Sequence, residues 1–178
     1  MAVKIKSVGG VGLENALKQL QKKLGKGAHV RVGFLEGSTY PDGTPVAQVA
    51  YWDEYGTKTA PPRPFMRAAI ANNKGDWGRL MGAALKAMGY NVDQALALVG
   101  EKITDQVKEE IVSFTAPENA MLTNILKERF PTGDYTKDDF LKAVSDLKHG
   151  ATASPGKPLV WSGVMLNSAA YDVKDGPE

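Results

Sequence analysis

Five apolar residues fix more of this chain's architecture than any other feature. Leu96, Val99, Ile103, Val107 and Ile111 recur at intervals of three or four, the signature of one helical face. Asn91, just upstream, suits an N-cap. Glu101, Asp105, Lys108 and Glu109 fall on the opposite face. The pattern predicts the longest helix of the chain, apolar on one side only. Such a stripe must be buried against a second layer. A partner is legible upstream: Val30-Arg31-Val32-Gly33-Phe34 is apolar at every second position, as in a half-buried strand. Tyr171-Asp172-Val173 reads as another strand. The expected fold is α+β: a small, mostly antiparallel sheet covered by a long amphipathic helix, with additional short helices.

At 178 residues the chain fits a single domain, residues 1–178. Folding at this length buries roughly 70% of the unfolded surface, enough for a core without staples. Composition then removes function classes. There is no cysteine, so disulfides, thiolate metal sites and a cysteine nucleophile are excluded. His29 and His149 are far apart and in no metal-ligand spacing. The 22 basic and 20 acidic residues leave a formal charge of +2, too even for a protein that wraps DNA. Lys18, Lys22, Lys23 and Lys26 cluster as a solvated helix face. The segment Met1 to Val8 alternates apolar and charged residues and lacks the apolar core of a signal peptide. No run is long enough for a transmembrane helix.

Further elements follow from local signals. Leu13, Leu17, Leu20 and Leu24, with Ala16, predict a helix ended by Gly25 and Gly27. Tyr40-Pro41-Asp42-Gly43-Thr44 is a turn within a projecting loop. Val46 to Tyr55 predicts a short helix with Gly56 at its left-handed end. Thr57 to Pro62 is loop, and Pro64 suits the first turn of the next helix. Gly75, Gly78 and Gly82 predict a break near Lys74–Asp76, with the helix ending near Gly89. Thr115 to Glu118 is expected to cap a helix through Phe130, closed by Pro131. Thr136 and Asp139 begin another that ends before Gly150, and Ala151–Lys157 is flexible. Ser162 is expected to N-cap Val164–Ser168.

Two blocks also resemble a known pattern. One is Ala50-Tyr51-Trp52-Asp53-Glu54-Tyr55-Gly56-Thr57 leading to Pro62-Arg63-Pro64-Phe65-Met66-Arg67. The other runs from Lys157 through Trp161-Ser162-Gly163 to Val173. With a long helix between them, they resemble the tail-component family of tailed bacteriophages. Its members are described as tail completion, minor tail protein Z-like, neck or virion morphogenesis proteins. The resemblance covers roughly Leu13 to Val173. It implies a virion structural protein at the head–tail junction, made in the host bacterial cytoplasm. The subunit would form a homo-oligomeric ring, six-fold by preference, touching neighbouring neck, portal-adaptor or tail proteins. Genomic DNA would pass through the lumen without sequence-specific binding, and no membrane is involved. Two departures stand out: residues 131–156 form an insertion, and the return strand expected after Lys174-Asp175-Gly176 is missing. A neighbouring subunit could supply that strand.

A ring subunit needs exposed anchors, and aromatic and Arg side chains serve best. Tyr51, Trp52, Glu54, Tyr55, Arg63, Phe65 and Arg67 are the candidate subunit interface. The competing reading makes Trp52, Tyr55 and Phe65 core and pairs Arg63 with Glu54. Tyr40, Asp42 and Thr44 form a candidate lumen or partner loop, or a plain surface hairpin. Gly56, Pro64, Ser162 and Gly163 are structural caps. No catalytic residue, metal site or cofactor is expected. Asp138-Asp139 and Glu109-Glu110 sit beside lysines as solvated helix faces. The rivals are a DNA-packaging or DNA-binding accessory and a small serine hydrolase. For the latter, Ser162 lacks the first glycine of a nucleophile elbow, position 160 being Val160.

Overall fold

A computed structural model describes residues 27–34 and 36–176, with Glu14, Asn15, Lys18, Gln19 and Lys22 as helical positions before them. The leucine stripe from Leu13 to Leu24 lies outside the described residues, as do Lys23 and Lys26. In chain order the elements are β1 (Ala28–Phe34), α1 (Val46–Tyr55), α2 (Phe65–Ala87), α3 (Val92–Ser113), α4 (Met121–Arg129), α5 (Lys137–Lys148), α6 (Val164–Ser168) and β2 (Ala169–Asp175). The fold is α+β, with a long helix packed on a small antiparallel sheet.

β1 and β2 pair antiparallel, from Ala28↔Asp175 to Phe34↔Ala169. The register sets Val30 opposite Val173 and Val32 opposite Tyr171, so these residues share one face. That face receives α3, capped as expected by Asn91, whose side chain accepts from the Gln94 amide. Leu96, Val99, Val107 and Ile111 are buried. The close approach occurs at Gly100, which the apolar pattern did not single out. A Cβ there would lie 2.7 Å from Val30 and 2.8 Å from the Tyr171 ring. Any side chain would push the helix off the sheet. One turn on, the buried Thr104 hydroxyl donates to the Gly100 carbonyl at 2.8 Å.

The expected break in the second long helix does not occur. α2 runs unbroken for 23 residues and exceeds α3 by one, so the Asn91-capped helix is not the longest. Gly75, Gly78 and Gly82 all face open space. Each costs about 1 kcal/mol of helix propensity relative to Ala, but the inner face repays it. Leu80, Met81, Leu85 and Met88 pack with Ala84, Ala95 and Val99. Trp77 donates to Gln106 at 3.0 Å, and Asn72 to Glu110 at 2.6 Å.

The main core joins Val46, Ala50, Phe65, Ala69, Val107, Ile111, Leu159 and Met165. Phe34 meets Phe65 edge-on at 6.1 Å. A second cluster, Ile125, Leu126 and Ala143 with Phe130, Leu147 and Trp161, ties the 131–156 segment to α4. α5 has the anticipated capping box between Thr136 and Asp139.

Two expected caps are corrected. α4 begins at Met121, without a side-chain cap, and Thr115 to Glu118 is not its start. Tertiary bonds hold that stretch as loop, because the Pro117 and Glu118 carbonyls accept from Arg63. Pro64, expected as a cap at the opening of this helix, is the N-cap of α2, directly before its first turn. Ser162 does not cap α6: Gly163 does, in the left-handed conformation at φ 79° that glycine adopts without strain. Among the described residues, no helix is long and apolar enough to cross a membrane.

Candidate functional site

The α1–loop–α2 unit is closed by one carboxylate. Gly56 ends α1 at φ 79°, with its amide bonded to the Trp52 carbonyl at 2.8 Å. A Cβ there would stand 2.9 Å from the Pro62 nitrogen, so no other residue fits. The loop then doubles back, and the Arg63 amide donates to the Asp53 carbonyl. Glu54, 6% exposed, aims at the start of α2. Its Oε2 accepts from the Met66 amide at 2.9 Å, and its Oε1 from the Arg67 amide at 3.2 Å. Proline cannot cap a helix through its side chain, so Glu54 caps α2 from another helix and meets its dipole with a negative charge. Arg67 completes the clamp, with Nε 2.7 Å from Oε1 and Nη2 2.9 Å from the Glu54 carbonyl.

Asp53 faces the other way, into a cleft of about 580 Å³. Six segments build its walls: the turn around Tyr40, Asp42 and Thr44; α1 at Trp52 and Asp53; the proline loop at Pro61 and Arg63; the stretch from Glu118 and Asn119 into α4 at Lys127; the start of the insertion at Asp134 and Tyr135; and Trp161, Ser162 and Gly163. Both sequence blocks and the insertion therefore meet at one place. The Arg63 guanidinium lies 3.5 Å from Asp53 and also donates to Asn119 Oδ1 at 3.3 Å. Burial pushes the Asp53 carboxyl above its usual range even so, with Arg63 opposing. Lys127, on α4, reaches in and donates to the Lys157 and Val160 carbonyls at 2.7 and 2.8 Å. Its ammonium lies 5.9 Å from the centre of the Trp161 ring. Burial, helped by Arg63, lowers its pKa to about 8. The Tyr40 hydroxyl is pushed up to about 12 by burial and then by Asp53 and Asp42. Trp161 is fixed by its Nε1 bond to the Phe130 carbonyl at 2.7 Å and by Tyr135, stacked within 8° of parallel.

The seven candidate interface residues thus divide. Phe65, 1% exposed, and Glu54 are interior, which removes them as surface anchors. Arg63 turns inward, and its ion-pair partner is Asp53 rather than Glu54. Tyr51, Trp52 and Tyr55 are exposed at 58%, 44% and 57%, so Trp52 and Tyr55 are not core. Tyr51 and Tyr55 lie 4.8 Å apart, and Arg67 sits 5.1 Å over the Tyr55 ring. Tyr40, Asp42 and Thr44 form a tight hairpin closed by the Tyr40 amide on the Thr44 carbonyl and the Thr44 amide on Asp42. Neither histidine lines the cleft with Ser162. His29 bonds to the Gly176 carbonyl, and His149 to that of Ser145. Sequence reasoning missed Asp53, Asn119, Lys127 and Tyr135. Only the aromatic residue carried any signal, since a lone lysine on a short polar helix looks solvated.

Comparison with protein-family models, curated proteins and solved structures finds no match.

Proposed function

We propose that this chain is a structural subunit of a tailed-phage virion, forming a ring at the head–tail junction between the portal complex and the tail. The observation that carries this reading is the meeting of both resembling blocks around one cleft, beside an exposed aromatic face. Tyr51, Trp52 and Tyr55 present three rings on a short helix that the Glu54–Arg67 clamp holds rigid. Rigid aromatic and Arg groups lose little entropy on docking and dominate interface energies. A subunit that meets its neighbour through two different patches closes into a ring when the rotation is right. Six copies would match the symmetry of a tail. Such a protein works by binding, and Ser162 without a histidine beside it favours that class over hydrolysis.

Native mass spectrometry and negative-stain imaging of the purified chain test the reading. Closed rings of uniform copy number are expected, with density for the chain between portal and tail in assembled particles. Particles that place it elsewhere, or lack it, would refute the reading.

A further inference from the structure

We infer that the cleft is the socket for the basic N-terminal segment of a second copy of this chain, Met1 to Val8; this rests on the ring reading. The cleft has room for a few extended residues, and Trp52, Tyr135 and Trp161 line it. Asp42, Glu118 and Asp134 line it as well, and among the described residues no basic group pairs with any of the three. The two cationic liners are already engaged, Arg63 with Asp53 and Lys127 with main-chain carbonyls. The unmatched charge is therefore negative, on apolar and aromatic walls. Such walls suit an extended chain carrying ammonium groups, which aromatic faces also attract.

The sequence contains a matching segment. Val3-Lys4-Ile5-Lys6 alternates apolar and cationic residues, and the first acidic residue is Glu14. Its lysines match the acidic groups of the cleft, and its valine and isoleucine match the apolar walls. Topology favours a second copy as its source. β1 starts at Ala28, paired with Asp175, whereas its other end, Phe34, pairs with Ala169 directly after α6. Val164 and Met165 of α6 line the cleft. Seven strand residues at roughly 3.3 Å each separate the two ends by about 20 Å. The chain thus enters β1 at the end remote from its own cleft. A socket filled by the next subunit would make each contact head-to-tail, as a ring requires.

The absence of native cysteine allows a direct test in the full chain. Ser7→Cys and Thr132→Cys variants are mixed under mild oxidation, with Lys86→Cys replacing Thr132→Cys as control. A mixed disulfide dimer is expected from the first pair, at least tenfold more abundant than from the control. Adding Lys4→Glu and Lys6→Glu should reduce it at least tenfold. No dimer above the control, or a yield indifferent to the charge reversal, overturns the inference. So does a double variant, Ser7→Cys with Thr132→Cys, that closes its disulfide at monomer mass, because the segment then fills its own cleft. Native mass of the same samples separates the two readings: uniform rings without the cross-link remove the socket and leave the ring standing.

Discussion

Asp53 and Glu54 are neighbours in sequence, and each is paired with an arginine from the same short run. Their settings differ. Glu54 is buried, accepts two amides and the Arg67 Nε, and joins two helices. Asp53 stands 3.5 Å from Arg63 in a cleft, its carboxyl raised by burial. One pair closes the fold and the other shapes a surface. Two carboxylate–arginine pairs from the same short stretch need not have the same value: what counts is how many donors each carboxylate satisfies and how dry it is.

Substitution can break this contrast. Phe65→Ala, beneath the clamp, should cost about 4 kcal/mol, read as a fall in the urea midpoint at unchanged m-value. Glu54→Ala should cost about 2 kcal/mol, since it strips a cap and a charged hydrogen-bond acceptor from α2. Asp53→Asn should cost less than about 1 kcal/mol in the same measurement. A loss as large as that of Glu54→Ala would erase the distinction. Tyr51→Ala with Tyr55→Ala should leave stability within about 0.5 kcal/mol per site yet weaken self-association about tenfold, an interface effect of about 1.4 kcal/mol; native mass spectrometry across a dilution series reads it.

Proton linkage sharpens the cleft side. Lys127 has a folded pKa near 8, below its ordinary 10.5. Between those values the unfolded chain holds the proton and the folded chain does not, so the Lys127 contribution to stability rises with pH. Tyr40 acts oppositely above pH 10. Its folded pKa near 12 exceeds the ordinary 10.0, so its contribution falls as pH climbs through that window. Urea midpoints from pH 7.5 to 10 should therefore rise less in Lys127→Met than in the parent chain. The decline beginning above pH 10 should be weaker in Tyr40→Phe.

Much of the fold was legible because its signals are local or periodic. The α3 stripe, the Asn91 cap, the Thr136–Asp139 capping box and the Gly56 stop depend on residues within a turn or two of each other. The misread elements were those decided at long range. Gly75, Gly78 and Gly82 argue for a broken helix until α3 packs along the inner face of α2. Thr115 to Glu118 looks like a helix start until Arg63 takes its carbonyls.

The α+β class, the long helix on its sheet and the rigid aromatic-bearing turn are written in local pattern, because hydrophobic period and cap chemistry act over a few residues. Long-range packing made Glu54 the cap of a helix eleven residues ahead at Phe65, made Gly100 the contact point of helix and sheet, and closed six separate segments around one cleft. The reason is physical. Burial and charge pairing depend on which surfaces meet, and no local pattern encodes that meeting.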